Sequence, residues 1–190
     1  MNNQLDTQLC ERYPKIFRDR HASMQVTAMC WGFDCGDGWF NIINALCAEI
    51  QSHIDATRRT RAARLRRHRA RARAKAHGSL QPILDHLARL YSRLDPVEAA
   101  PWMEAEARRI LQEDEAPLPD VCPQVVAVQV KEKFGALHFY YDGGDDIVNG
   151  LVRMAERLSE TACEICGDAG KVYHDGWVTT RCPRHAPATT

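Results

Sequence analysis

Two features are missing from this sequence, and each absence excludes a class of protein. No apolar run approaches the roughly 20 residues that a membrane-spanning helix needs. The first residues also lack the basic and apolar segments of a secretory leader, so we expect a soluble, unprocessed protein. The chain has 190 residues, 45% of them hydrophobic, which is enough to bury the core of one domain with an appendage.

The eight cysteines lack the regular spacing of a secreted disulfide framework. Three of them belong to one C-terminal motif, which leaves five at unpatterned positions: Cys10, Cys30, Cys35, Cys47 and Cys122. This odd remainder indicates reduced thiols in an intracellular setting. Cys30 and Cys35 together with His21 are an alternative metal-binding set, but their spacing suits a metal poorly.

The C-terminal region contains two pairs of metal-binding residues on either side of a turn-forming insert. Cys163 and Cys166 form the first pair, and Cys182 and His185 form the second. Four such side chains can converge tetrahedrally on Zn²⁺. The insert has β-favouring residues on both sides of a His174-Asp-Gly turn, as a hairpin would.

This spacing predicts a zinc ribbon or treble-clef-like knuckle over residues 163–186 that holds one zinc ion. A site closed by four protein ligands leaves no position for a substrate, so the predicted zinc is structural. His174 is the alternative to His185 as fourth ligand, although it falls within the predicted turn.

Charge is balanced over the whole chain but uneven along it. The formal net charge is zero, from 25 basic and 25 acidic residues, yet no acidic residue occurs between Asp55 and Asp85. Ten basic residues lie close together in this interval: Arg58, Arg59, Arg61, Arg64, Arg66, Arg67, Arg69, Arg71, Arg73 and Lys75. Alanine and arginine favour helix, and arginines at these spacings point all round a helix axis. We therefore expect a helical arm, ended by Gly78, with no face to bury.

Such an arm predicts electrostatic binding to DNA or RNA, because arginines that neutralise phosphates release counterions whatever the base sequence. The alternatives are a solvated spacer, or an arm that contacts the acidic remainder of a partner chain in a homo-oligomer. A solvated helix usually carries interleaved glutamates, and this segment has none.

The remaining sequence mixes helical and strand periodicities, which predicts an α+β fold. Helical patterns begin at Trp39, at residue 80 and after Asp145, and strand patterns cover residues 124–131 and 136–141. Alternation along the strands assigns two faces to this small sheet. The outer face has Gln129, Lys131, His138 and Tyr140, and the buried face has Val126, Val128, Val130, Leu137, Phe139 and Tyr141.

We expect the chain to divide into three parts: an α+β core at 8–55 and 118–162, an inserted arm with a helical pair at 56–117, and the knuckle at 163–186.

A glycine-rich loop precedes the first core helix, at residues 30–39. We expect Asp37 to cap that helix and Trp31 and Trp39 to pack into the core. A loop of this kind could instead bind an anion at the helix N-terminus, but Asp34 and Asp37 would repel it.

Three motifs carry a family resemblance: the CGDGW loop within residues 31–39, the VKEKFG hairpin within 129–142, and the knuckle at 163–185. With these motifs the chain resembles a group of small uncharacterised proteins that tailed phages and prophages encode, over about 13–53 and 125–185. The arginine arm lies outside the likeness and looks like an insertion. The resemblance implies a phage accessory protein of host-takeover or counter-defence type, acting in the cytoplasm of an infected bacterium.

The function expected from these patterns is binding to a bacterial host protein or nucleic acid, without catalysis. A metal-dependent nuclease is an alternative, because Asp120 followed by Gln129 and Lys131 is loosely similar to a restriction-endonuclease signature. Gln129 stands where that signature has an acid, which weakens this alternative. A structural or virion-associated role is the third class.

Overall fold

The computed structural model describes residues 1–114, 116–174 and 176–187. Its helices are α1 (Asn3–Arg12), α2 (Phe40–His77), α3 (Gln81–Leu90), α4 (Pro96–Gln112) and α5 (Asp146–Ser159). Its strands are β1 (Phe33–Asp34), β2 (Val126–Lys133), β3 (Ala136–Asp142), β4 (Lys171–Tyr173) and β5 (Thr179–Arg181). The predicted mixed α+β class is therefore confirmed. Within the described ranges, no helix is both long and apolar enough to span a bilayer.

The chain divides into two compact units. The first contains Met1–Asp55 and the chain from Cys122 onward, and the second is Ala56–Val121. The helix α2 continues through residue 56, as the helix-forming alanines and arginines predict. Gly78, which has a φ of 62°, follows its last residue.

The core of the first unit lies between its sheet and the helices α2 and α5. The sheet has the order β1-β2-β3, with β1 parallel and β3 antiparallel to β2. Ile43 and Ile50 are fully buried at helical spacing on α2, and Trp39, in the 3₁₀ turn directly before the helix, is buried with them, as the helical pattern from Trp39 predicts. The helix α5 follows Asp145 as predicted, and Asp145 caps it, because its carboxylate accepts hydrogen bonds from the N–H groups of Ile147 and Val148.

A β-bulge in β2 makes part of the predicted strand alternation wrong. The register with β3 shifts between Ala127 and Gln129. Val126 and Val130 of β2 are buried as predicted, but Ala127 is buried as well and Val128 is only half-buried. A two-residue period cannot predict where an extra residue enters one strand of a pair.

Two expectations for the glycine-rich loop are also wrong. Asp37 begins a short 3₁₀ turn before α2, and its carboxylate accepts hydrogen bonds of 2.7 Å from the backbone and the side-chain amide of Asn2 instead of capping the helix. Trp31 is 74% exposed, whereas Trp39 is buried as predicted.

The second unit is a three-helix arrangement of α3, α4 and the later part of α2, which corrects the prediction that the arm has no buried face. Ala70 and Ala74 are buried in one apolar cluster with Ile83, Leu87 and Ile110. Small side chains let neighbouring helices approach closely, so two alanines form a contact face that a search for large apolar residues does not find. The helix α4 begins at Pro96, where the side chain of Asp95 caps it.

Candidate metal centre and basic groove

The predicted ligands Cys163, Cys166, Cys182 and His185 lie together, with ligand atoms that are all within 4.8 Å of one another. The first two lie in the turn that follows α5, and the other two follow β5. The Sγ atoms of Cys166 and Cys182 are 3.7 Å apart. Nδ1 of His185 lies 3.5 Å from Sγ of Cys163 and 3.3 Å from Sγ of Cys182.

These separations suit a tetrahedral ion. Zn–S bonds of about 2.3 Å and Zn–N bonds of about 2.0–2.1 Å place two sulfurs about 3.8 Å apart, and a sulfur and a nitrogen about 3.6 Å apart. The four side chains can therefore hold a metal ion, and their geometry is compatible with zinc.

The electrostatics of the cluster also favour a cation. Burial opposes ionisation of the Cys163 thiol, but backbone N–H groups of Cys166, Cys182 and Ile165, together with His185, lower its pKa to about 6. The backbone N–H of Asp168 lowers the pKa of Cys166, yet burial and the neighbouring sulfurs of Cys182 and Cys163 leave that pKa raised. A cation among these sulfurs would relieve their mutual repulsion and stabilise the thiolates.

The backbone around the cluster holds its two halves together. The N–H of Gly167, which has a φ of 80°, donates to the carbonyl of Cys163 at 2.7 Å. The N–H of Glu164 donates to the carbonyl of Thr180 in β5 at 3.0 Å. The strands β4 and β5 form the antiparallel hairpin between the two pairs of ligands. Within the described residues His174 is not part of the cluster, and Asp175 of the predicted turn lies outside them.

The glycine-rich loop packs against this cluster, a contact that the sequence analysis missed. A Cβ on Gly38 would lie 2.2 Å from the carbonyl oxygen of Cys163, and one on Gly36 would lie 2.2 Å from that of Glu164. The N–H of Gly38 donates to the same Glu164 carbonyl at 2.8 Å, and Nε1 of Trp39 donates to the carbonyl of Ala162 at 2.8 Å. The two glycines of CGDGW therefore permit close backbone approach.

The basic residues of the predicted arm fall into two groups on α2. Arg59, Arg66, Arg69 and Arg73 are exposed, and at 3.6 residues per turn they share an arc of about 80°. Arg61, Arg64, Arg67 and Arg71 are half-buried on another side. Arg58 is also half-buried, but it lies about 20° from Arg69 around the axis, and Lys75 in the last turn is exposed.

The half-buried arginines contact their own unit. Nη1 of Arg61 donates to the carbonyl of Pro119 at 2.8 Å. Arg67 pairs with the carboxylate of Glu113, and Arg71 donates to the backbone carbonyl of Glu113. These arginines bind the end of α4 and the segment that follows it, so they serve the structure of the second unit.

Three of the four exposed arginines line a groove between α2 and α3, with a volume of about 400 Å³. Arg66, Arg69 and Arg73 lie on one side, Arg89 lies on the other, and Asp85 is the acidic residue of the lining. No ion pair of the three α2 arginines occurs within the described part of the chain.

A buried histidine forms part of the same lining. His86 of α3 is only 7% exposed. Burial lowers its pKa, and the positive charges of Arg89, Arg66 and Arg67 lower it further. The arginine charges around the groove thus disfavour a further positive charge there and favour the binding of an anion.

The other sequence-based candidates are not brought together as sites. Within the described ranges, the possible metal clusters include neither Cys30 with Cys35 and His21 nor an acidic residue near Lys131. Lys131 instead lies over the ring of Tyr140, with its Nζ 5.6 Å from the ring centre.

Comparisons of the chain with protein-family models, with curated proteins and with solved structures give no match.

Proposed function

We propose that this chain is a zinc-stabilised binding protein without catalytic activity, and that its second unit binds the phosphates of DNA or RNA. One observation supports the nucleic-acid part most directly. The arginines on one side of α2 bind their own unit, whereas those on the other side face a groove and are available to phosphates.

The dimensions of the groove suit a nucleic-acid backbone. Arg66 and Arg73 are seven residues apart, which is about 10 Å along a helix. That length covers about three steps of a DNA strand at about 3.4 Å each. Arg89 contributes a fourth cation from the other wall. Guanidinium groups are well suited to phosphate because they present several N–H donors in one plane.

The proposed zinc ion is structural. Cys163, Cys166, Cys182 and His185 fill a tetrahedral shell, which leaves no position for a substrate or an activated water. The knuckle has little apolar core of its own, so metal binding would supply much of its folding free energy.

The resemblance to phage-encoded proteins supports an accessory role in the cytoplasm of an infected bacterium, with host nucleic acid as the favoured target. A host protein is the alternative partner, because a basic groove also suits an acidic protein surface. The nuclease alternative has less support, since the groups of described side chains that could hold a metal ion include neither Asp120 nor any residue beside Gln129 and Lys131.

The test is binding of short DNA and RNA strands to the full chain, measured by fluorescence anisotropy from about 50 mM salt upward. Four groove arginines predict a slope of log affinity against log salt of about −3 to −4, with little dependence on base sequence. Absence of binding at the lowest salt concentration would leave an acidic protein as the expected partner of the groove.

A further inference from the structure

A second group of metal-binding side chains lies in the first unit, away from the cysteine-rich motif. His53, Cys122 and Asp145 place one ligand atom each within 4.8 Å of the others. They come from three separate segments: α2, the chain before β2, and the residue that caps α5. The sequence gives little indication that any one of them is a metal ligand, because the three residues are far apart in the chain.

The carboxylate of Asp145 is fixed in position by two different interactions. Its Oδ1 accepts hydrogen bonds of 3.1 Å from the N–H groups of Ile147 and Val148 at the start of α5. Its Oδ2 lies 2.7 Å from Nε2 of His53. One oxygen therefore anchors the side chain, and the other points to the cluster.

The backbone brings Cys122 and Asp145 together independently of these side-chain contacts. The N–H of Gly144 donates to the carbonyl of Pro123 at 3.2 Å. A Cβ on Gly143, which has a φ of 82°, would lie 2.2 Å from the carbonyl oxygen of Gln124. The loop before α5 thus packs directly on the residues that follow Cys122, so the three donors converge before any ligand binds.

We propose that His53, Cys122 and Asp145 form a second metal site, for a divalent ion such as Zn²⁺, with one coordination position open to an external ligand. Imidazole, thiolate and carboxylate are the three ligand types that zinc takes in proteins, and a set of three protein ligands is typical of open sites. Cys122 is 3% exposed, whereas the side chains of His53 and Asp145 are 18% and 35% exposed. The open position therefore faces the side where solvent reaches the histidine and the carboxylate.

Metal binding needs only a small adjustment of this cluster. The contact of 2.7 Å between His53 and Asp145 is a hydrogen bond, and a tetrahedral zinc ion would separate the two atoms to about 3.4 Å. The ion replaces the thiol proton of Cys122, which is released to solvent, and the ring proton of His53 resides on Nδ1. The site is independent of the nucleic-acid groove, because all three ligands belong to the first unit.

The test is metal stoichiometry in the full chain, after removal of metal by a chelator and titration with Zn²⁺ or Co²⁺. We expect two ions per chain. Asp145→Asn should bind one, because asparagine caps a helix as well as aspartate does but is a weaker zinc ligand. Cys122→Ser should also bind one. Cys10→Ser removes a thiol that belongs to neither cluster and should still bind two.

Co²⁺ spectra distinguish the two sites by their donors and by their openness. Loss of the Cys122 site should remove the charge-transfer absorption of a single thiolate. Loss of the Cys₃His cluster would remove that of three thiolates. Azide should change only the spectrum of the second ion, since binding of azide needs an open position. A wild-type protein that binds a single ion, or an Asp145→Asn variant that still binds two, would overturn the proposal even if Cys122→Ser fails to fold.

Discussion

Gly38 lies so close to Cys163 that a side chain on Gly38 would collide with the cysteine's carbonyl oxygen, at a Cβ to oxygen distance of 2.2 Å. The same Cβ would lie 2.4 Å from the backbone nitrogen of Gly167 and 2.8 Å from that of Cys166. The loop before α2 and the candidate metal centre therefore form one packed substructure, although about 125 residues separate them in the sequence.

The first prediction follows from this contact. Gly38→Ala should destabilise the first unit by about 3 kcal/mol, because rigid backbone atoms on the opposite side cannot move away. Gly150→Ala is the matched control, since Gly150 is exposed in α5 and a Cβ there meets open space. It should stabilise the protein by about 0.5–1 kcal/mol through helix propensity. Chemical denaturation of both variants measures the difference, and equal midpoints would contradict the proposed packing.

The second prediction concerns the metal centre. Cys163→Ser should lose one metal ion and the protection of the C-terminal amides from hydrogen exchange, because metal binding and folding of the knuckle are coupled. Cys10→Ser should retain both. Elemental analysis and hydrogen exchange measure the two effects, and a fully protected C-terminus in metal-free protein would show that the knuckle folds without an ion.

The C-terminal cluster of three cysteines and one histidine was predictable from sequence because its spacing is local: two pairs and one hairpin specify the whole cluster. The contact of Gly38 with Cys163 was not predictable, since the CGDGW motif fits a helix-capping loop equally well until its partner is known. The same limit applies to His53, Cys122 and Asp145, which only the tertiary fold brings together.

The arginine arm shows a different limit. Its helical state followed from alanine and arginine propensity, but its two sides could not be distinguished without α3 and α4. Ala70 and Ala74 are buried there by close helix packing, which a scale based on large apolar residues misses. Arg67 pairs with Glu113 directly after α4, whereas no ion pair of Arg69 occurs among the residues that the structure describes.

The third prediction tests whether the exposed arginines of α2 bind nucleic acid, by removing their charge. Arg69→Gln with Arg73→Gln should make the salt slope shallower by about 2 and weaken binding to DNA and RNA uniformly. Arg108→Gln with Arg109→Gln removes the same charge from α4, where both arginines are paired with glutamates. This control should change the slope little. Equal effects of the two double variants would indicate attraction by net charge alone, without a defined groove.

The fourth prediction concerns pH. The pKa of His86 is lowered by burial and by Arg89, Arg66 and Arg67, so the neutral ring is favoured in the folded protein. The resulting stability is fully present above pH of about 6.5, the unfolded pKa of histidine, and is lost as the pH falls through the lower folded pKa. His86→Gln should remove this dependence, as measured by denaturation across that pH range.

A phosphate in the groove should act in the opposite direction on His86. The negative charge would offset the field of the surrounding arginines and raise the pKa of the ring, so binding would take up a proton and strengthen as the pH falls. Histidine titration by NMR with and without an oligonucleotide measures the change, and an unchanged His86 would place the nucleic acid elsewhere.

The last prediction tests whether the second unit can be removed. A ring nitrogen of His53 and Sγ of Cys122 lie within 4.8 Å of each other, so the two ends of the first unit that flank residues 56–121 are already close. Loop-closure entropy changes by only about 0.6 kcal/mol for each doubling of loop length. A short Gly/Ser linker in place of these residues should therefore preserve a folded, metal-binding first unit.

This shortened protein should no longer bind nucleic acid, because the groove arginines are absent from it. Circular dichroism and metal analysis measure the first expectation, and anisotropy measures the second. Retained nucleic-acid binding would assign that function to the first unit, whose charge is predominantly acidic. An insoluble product would instead show that the first unit depends on the second for folding. The two units divided at residues 55 and 122 would then not fold independently.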